Sequence, residues 1–276
     1  MFKHGKYFLN CFIAAFALTA LASVAVAQNF KRPAPTPADW AALAKLPDFT
    51  GVWEVPMGAP PPAASKPAGG SSPTSSFSDL FPHLTLTPAY AAKLKALQAD
   101  APQDPSTANC LPPGMPGIMG QPYPYEFLLT PGQVTIVGEA FSIIRHIYTD
   151  GRPLPADPDP SFFGTSIGHW DGDTLVVESV GFSPLTTIDF ITPHSDKMRI
   201  LERFRLTDPD TMSIETTVTD PEALAAPFVT HRILRRHRSW TIAEYICEEN
   251  NRNFVDRSGK AGINLTPPGS SQTDSK

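Results

Sequence analysis

Residues 169–177 read His-Trp-Asp-Gly-Asp-Thr-Leu-Val-Val and carry the clearest β-hairpin signal in the chain. Asp171-Gly172 supplies the positive φ angles of a tight hairpin turn, and residues typical of strands stand on both sides. Asp171 and Asp173 also have the chemistry of calcium ligands, but no EF-hand spacing follows them. We therefore interpret the two aspartates as turn residues between antiparallel strands.

Short segments of the same kind continue on both sides of this hairpin. The candidate strands are Phe127–Thr130, Val134–Val137, Phe141–Tyr148, Gly164–Trp170, Thr174–Val180, Thr187–Ile191, Arg199–Leu206, Met212–Thr219, Phe228–Arg235 and Trp240–Cys247. Glycine, proline or aspartate separates them at regular intervals. This spacing predicts a mainly β domain that is either an antiparallel, barrel-like (lipocalin-like) fold or a sandwich.

The region ahead of these strands predicts two short helices and one more strand. Thr36-Pro37-Ala38-Asp39 combines an N-cap, a first-turn proline and a first-turn acid, and predicts a helix up to about Lys45. Asp48–Val55 alternates apolar and polar residues and predicts a strand. Pro60–Ser76 has a loop composition, and Thr87-Pro88 predicts a second, amphipathic helix up to about Ala99 that packs on the core.

Charge and the amino-terminal residues limit the compartment and the partners. The 276 residues contain 22 Lys and Arg against 27 Asp and Glu, a balance that argues against nucleic-acid binding. Lys3 and Lys6 precede an apolar run that ends in Ala25-Val26-Ala27, which predicts a signal peptide over residues 1–27. We expect a periplasmic or secreted protein that does not insert into the membrane once the signal is removed.

Three further regions follow the predicted signal peptide. Residues 28–108 hold the helices, the first strand and the loop; residues 109–256 form the β core; residues 257–276 are a polar tail. Cys110 and Cys247 remain after signal removal, and an even pair in an oxidising compartment predicts a disulfide. Two buried, reduced thiols are the alternative.

Several motifs resemble those of a widespread group of secreted bacterial proteins of unassigned function. They are Gly-His-Trp-Asp-Gly-Asp-Thr-Leu-Val-Val-Glu at 168–178, His-Ser-Asp at 194–196, Glu-Arg-Phe at 202–204 and Glu-Tyr-Ile-Cys-Glu-Glu-Asn at 244–250. The resemblance covers roughly residues 110–253. It implies relatedness and no particular activity. One departure is that Asp150-Gly151-Arg152 is followed by Pro153 and Leu154, where the group tends to carry a histidine.

Two charged residues fall on apolar rows of predicted strands. Alternation places Arg145 in a row with Phe141, Ile143 and Ile147, and places Glu202 in a row with apolar neighbours on its own strand. A buried arginine needs a partner, and Glu202 is the natural one. The pair is either part of a catalytic site or a structural network.

Loop histidines give the other candidate catalytic groups. His194 precedes Asp196 in a loop, and that carboxylate could orient the imidazole as a general base. His169 ends a strand, and we expect it and His194 at one open end of the barrel. The alternative for the 194–196 segment is a turn capped by its own side chains. His231 on an apolar face, Tyr148 and Trp170 are the predicted substrate-binding residues.

Several chemistries find no support in the sequence. The Gly-x-Ser-x-Gly pattern at Gly164–Gly168 lies inside a predicted strand and not at the strand-to-helix turn of a nucleophile elbow. The sequence contains no glycine-rich nucleotide loop and no HExxH motif, so we expect neither an organic cofactor nor a metal. The predicted function is an exported lyase, isomerase or hydrolase that uses His194, Asp196, His169, Arg145 and Glu202 on a small apolar or aromatic molecule. A lipocalin-like carrier for such a ligand, or an envelope interaction protein, is the alternative.

Overall fold

The computed structural model describes residues 34–56, 84–100, 109–189, 191–249, 253–257 and 261–263. The predicted signal peptide, the predicted loop at 60–76 and most of the predicted tail lie outside these ranges. From Pro35 onward, the described residues belong to one compact unit.

Nine strands close into a barrel in chain order, and β9 completes the ring by pairing with β1. The strands are β1 Gly51–Glu54, β2 Tyr125–Thr130, β3 Gln133–Gly138, β4 Ile143–Tyr148, β5 Thr165–Asp171, β6 Thr174–Val180, β7 Arg199–Asp208, β8 Thr211–Thr219 and β9 Phe228–His237. The mainly β, barrel-like prediction is confirmed, and the sandwich alternative is excluded. The 169–177 hairpin is confirmed as β5 and β6, joined at Asp171 and Thr174.

One pair departs from the antiparallel prediction. β4 and β5 run parallel and are registered at only two positions, Ile147 with Ser166 and Tyr148 with Ile167. Parallel neighbours need a connection that returns along the barrel. Residues 149–164, which include four prolines, make this return. We call the line where β4 meets β5 the seam.

Two predicted strands are wrong, and one begins late. Thr187–Ile191 is a loop because the Asp189 carboxylate accepts hydrogen bonds from the backbone N–H groups of Ile191 and Thr192 and from the Thr192 hydroxyl. Trp240–Cys247 forms no strand, while β10 Asn253–Val255 and β11 Ala261–Ile263 pair with each other. Phe141 and Ser142 have positive φ angles, so β4 starts only at Ile143.

Both predicted helices are confirmed. α1 is Pro37–Leu43 and begins with the predicted cap, in which Thr36 and Asp39 bond reciprocally. α2 is Pro88–Asp100 and is anchored just before its start, where the Thr87 N–H donates to the Ala223 carbonyl. The predicted packing of an amphipathic α2 on the core is not seen: Leu97 is exposed, and within residues 88–99 only Tyr90 and Leu94 are partly buried. None of the helices in the described part of the chain is both long enough and apolar enough to cross a membrane.

The core fills the barrel interior with apolar side chains, and a disulfide ties two outlying segments together. Phe127 lies between Trp53 and Phe204, and its ring meets both in edge contacts.

Cys110 and Cys247 form the predicted disulfide across 137 residues, with a Cα–Cα distance of 5.7 Å. Loop-closure entropy for such a span is worth about 4–5 kcal/mol. Cys247 lies in a turn and not in the predicted last strand.

Candidate functional site

The barrel interior holds the predicted pair of Arg145 and Glu202. Both side chains are buried, with 2% and 0% of their surface exposed. Nη1 of Arg145 donates to Oε1 of Glu202 at 3.2 Å, and Nη2 donates to Oε2. The prediction that Glu202 partners Arg145 is confirmed. A two-point contact of this kind is the strongest form of the arginine–carboxylate pair.

Two serines complete the surroundings of this pair. Nη2 of Arg145 also lies 3.4 Å from Oγ of Ser166 and 3.2 Å from Oγ of Ser179, and the two hydroxyls are 2.8 Å apart. Within the described residues, Nε of Arg145 is the one nitrogen of this guanidinium without a hydrogen-bond partner. The four side chains come from β4, β5, β6 and β7, so they join four neighbouring strands. Little hydrogen-bonding capacity is left for a ligand, which supports the structural interpretation of the pair.

His194 is held by its own loop. It is buried, its Nδ1 donates to the Ser195 carbonyl at 2.7 Å, and its Nε2 lies 2.8 Å from the Thr186 hydroxyl and 3.1 Å from the Ser183 carbonyl. Phe182 covers the ring edge. Both ring nitrogens are therefore occupied within the loop.

The structure does not bring Asp196 to His194. The Asp196 carboxylate is exposed and pairs with Lys197 at 2.8 Å, and that hydrogen bond lowers the pKa of Asp196. The carboxylate that fixes the loop is Asp220, which is buried and accepts the Ser195 N–H at 2.6 Å and the Ser195 hydroxyl at 2.7 Å. Sequence reasoning missed Asp220, because the contact spans 25 residues and no local pattern marks it.

His169 and His194 lie at opposite ends of the barrel, contrary to the expectation that they share one. His169 is exposed on β5, near the turn at Gly172 where β6 begins. The His194 loop follows the other end of β6, and a seven-residue strand spans roughly 20 Å. Trp170 is partly buried and packs against Phe49, with ring centroids 5.1 Å apart.

The predicted face of β9 is inverted. His231 points outward, exposed, with its Nδ1 3.8 Å from the Glu215 carboxylate. The register explains this: the buried β8 residues Met212 and Ile214 pair with Leu234 and Arg232, and directly paired residues share a face. Arg232 is therefore the inward residue, and the sequence analysis did not select it.

The seam opens into a pocket of about 220 Å³. The last two residues of β4, Ile147 and Tyr148, pair with Ser166 and Ile167 near the start of β5. The pocket lies beside the earlier part of β4, which has no partner in β5. Three rings line it, those of His146, Tyr148 and Phe163, together with Ser161 and Thr165. Of the predicted site residues, Arg145 and Tyr148 line this pocket.

Neighbouring groups hold the Tyr148 ring in place. The Arg152 guanidinium lies 3.8 Å from the ring centroid, which is a cation–π contact. Asp150 fixes Arg152 through several hydrogen bonds, which lower the pKa of Asp150 and raise that of Arg152. The His146 ring lies beside that of Tyr148 on the same face of β4, with the two ring centroids 6.3 Å apart. The pocket wall is thus preorganised.

His146 is oriented by β3. Its Nδ1 lies 3.0 Å from Nε2 of Gln133 and 3.3 Å from the Thr135 hydroxyl. Because the Gln133 amide nitrogen is a donor, Nδ1 accepts, and the proton of the neutral ring then sits on Nε2. His146 therefore presents one N–H donor beyond its contacts with β3.

Metal sites and relatives add no further assignment. Among the described residues, no three His, Cys, Asp or Glu side chains are grouped to hold a metal ion. No family model matches the chain, and no curated protein matches it either. The resemblance to secreted bacterial proteins stays a prediction.

Proposed function

We propose that this barrel is an exported binding protein for a small aromatic molecule, which it takes up in the seam pocket. The observation that carries the proposal is the 220 Å³ opening walled by the rings of His146, Tyr148 and Phe163. Apolar cavities of about 150 Å³ hold one benzene ring, so the pocket has room for a single substituted ring. The disulfide is compatible with a periplasmic or secreted location.

Ring contacts supply the affinity in this proposal. Aromatic pairs prefer offset or edge contacts, and each contributes about 0.5–1.5 kcal/mol beyond area burial. Arg152 and Asp150 already hold the Tyr148 ring in place without a ligand. Binding therefore costs little side-chain entropy at this ring. Ser161, Thr165 and the Nε2–H of His146 are the polar groups that would select a hydroxyl or carbonyl substituent.

Proton-transfer chemistry at the same pocket is the second candidate function. An oriented imidazole beside a bound phenol is the minimum requirement of an acid–base lyase or isomerase. His146 meets it better than His194, because both nitrogens of His194 are occupied in its loop. In this proposal His146 acts as a proton donor through Nε2–H, because its Nδ1 lone pair accepts from Gln133. It takes the place of the predicted His194–Asp196 pair, and the predicted substrate class is kept.

Ligand-observed NMR with phenol and cyclohexanol tests the binding proposal. We expect saturation transfer to phenol and much less to cyclohexanol, because only phenol offers an aromatic face. Tyr148→Ala is expected to abolish the transfer. Tyr123→Ala is the matched control, since Tyr123 is a partly exposed tyrosine that packs against Tyr245 away from the pocket. Equal transfer to phenol in both variants would contradict the proposal.

Mass spectrometry separates binding from turnover. The mature protein is incubated with a mixture of phenolic compounds beside His146→Gln and His194→Gln. If the protein is an enzyme that uses His146, one compound disappears with the parent protein and the His194 variant but persists with the His146 variant. If all compounds persist and one is retained through desalting, the protein is a carrier.

A further inference from the structure

Arg232 stands on the inner face of β9 with apolar neighbours. Its cross-strand partner Ile214 is buried, and so is Leu234, two residues further along the same face. The side chain reaches the 3₁₀ helix Gly117–Gly120, and part of the residue still meets solvent. A positive charge thus lies in a mainly apolar corner of the barrel.

Among the residues that the structure describes, no carboxylate neutralises this guanidinium. Within the described residues, Arg232 has no hydrogen bond and no ion pair, and desolvation lowers its pKa. Glu202 is committed to Arg145, and Glu215 lies on the outer face with His231. The guanidinium is partly withdrawn from water, while its nitrogens still reach solvent, so an anion can approach it and would supply the missing partner.

Tyr125, the titratable neighbour, cannot serve as the counter-ion. Its hydroxyl donates to the Ile118 carbonyl and lies 3.3 Å from the Gln121 carbonyl. Burial raises its pKa well above the usual value even though the Arg232 charge acts in the opposite direction. The phenol is therefore neutral at physiological pH.

Glycine at position 120 lets the guanidinium lie where it does. A β-carbon added to Gly120 would stand 2.5 Å from Cζ of Arg232, 2.6 Å from Nη2 and 2.7 Å from Nη1. The guanidinium therefore packs directly on the backbone of the 3₁₀ helix, which fixes one side of it. A planar fork held in this way is suited to two-point recognition of an anion.

We propose that Arg232 is the anchor of a second ligand site, which takes the carboxylate of a small organic acid. One guanidinium balances one negative charge, while a dianionic phosphate would need more donors. Ile214 and Leu234 are fully covered by the core, so the acid reaches Arg232 through its carboxylate, from the side on which the residue meets solvent. β9 pairs with β8 and β1, so the site is separate from the seam between β4 and β5.

Isothermal titration calorimetry with cyclohexanecarboxylate, its uncharged amide and inorganic phosphate tests the proposal. The protein carries Tyr148→Ala throughout, which removes one of the three rings that line the seam pocket. We expect binding of the carboxylate and not of the amide or phosphate. Arg232→Met is expected to weaken carboxylate binding about tenfold to hundredfold, the range for a charge-assisted contact.

Two further variants make the result specific. Arg203→Met removes the same charge from an exposed position on β7 and is expected to leave the affinity unchanged. Gly120→Ala keeps the charge but displaces the flexible end of Arg232, so we expect weaker binding with the fold retained, as checked by circular dichroism. Equal carboxylate affinity with and without Arg232, or tighter binding of phosphate than of the carboxylate, would overturn the proposal.

Discussion

Arg145 and Arg232, two of the arginines on inward-facing rows of the barrel, have surroundings that differ in one respect. Arg145 meets a buried carboxylate and two hydroxyls from three other strands, whereas Arg232 meets apolar side chains and the backbone at Gly120. We call the Arg145 site complete because its charge has a carboxylate partner within the protein. We call the Arg232 site incomplete because its charge has no partner among the described residues. In this barrel, the contrast teaches that burial of a charge is not enough to indicate a ligand site, because a charge such as that of Arg145 can be neutralised by the protein itself.

The largest expected effect comes from breaking the complete site. Arg145→Met would leave the Glu202 carboxylate buried without its partner, because both serines together cannot replace a guanidinium. Removing one member of a buried pair typically costs about 3–5 kcal/mol of unfolding free energy. Urea denaturation followed by circular dichroism measures the loss. A loss well below about 1 kcal/mol would show that Glu202 finds other compensation.

The second prediction removes both charges from the same site. Arg145→Met combined with Glu202→Leu leaves no stranded charge, and apolar replacements of buried pairs are commonly neutral or stabilising by about 1–4 kcal/mol. We therefore expect the double variant to unfold at a higher urea concentration than Arg145→Met alone. If the two single losses simply add, the pair is not coupled and the structural interpretation fails.

The third prediction applies the same substitution to the incomplete site. Arg232→Met strands no carboxylate within the described residues, so without ligand we expect stability unchanged or increased by up to about 1–2 kcal/mol. The same urea experiment compares it with Arg145→Met. A destabilisation as large as that of Arg145→Met would mean that Arg232 has a structural partner, and the contrast between the two arginines would be lost.

Sequence periodicity predicted one of these arginines and missed the other for a physical reason. On β4, buried Ile143 and Ile147 alternate with exposed or polar residues, so the inward face is unambiguous and Arg145 falls on it. On β9, Phe228, Val229, Ile233 and Leu234 put apolar residues on both faces. Its register is decided by β8, which no local pattern in β9 reveals.

The hairpin, the barrel and the disulfide followed from local signals and residue counting, but the seam and the loop contacts did not. The two-residue turn at Gly172 and Asp173, closed by the pair of Asp171 and Thr174, determines its two strands directly. The parallel pairing of β4 and β5 depends on where residues 149–164 return along the barrel, and the hold of Asp220 on the Ser195 loop depends on tertiary packing. The candidate pocket therefore became visible only in three dimensions.

A third arginine, Arg152, provides the surface counterpart of the comparison and the smallest expected effect. Its partner Asp150 has a lowered pKa, chiefly through the Arg152 hydrogen bond. A carboxyl whose folded pKa lies below the unfolded value of about 3.9 contributes stability above that value and loses it as the pH falls through the folded pKa. Asp150→Asn should therefore cost about 0.2–1 kcal/mol at neutral pH, as surface pairs do, and almost nothing below the folded pKa. Urea denaturation at pH 7 and at a series of lower pH values measures how the cost declines on acidification. A cost that grows as the pH falls would contradict the assignment of Asp150 as the charged partner that holds Arg152 against Tyr148.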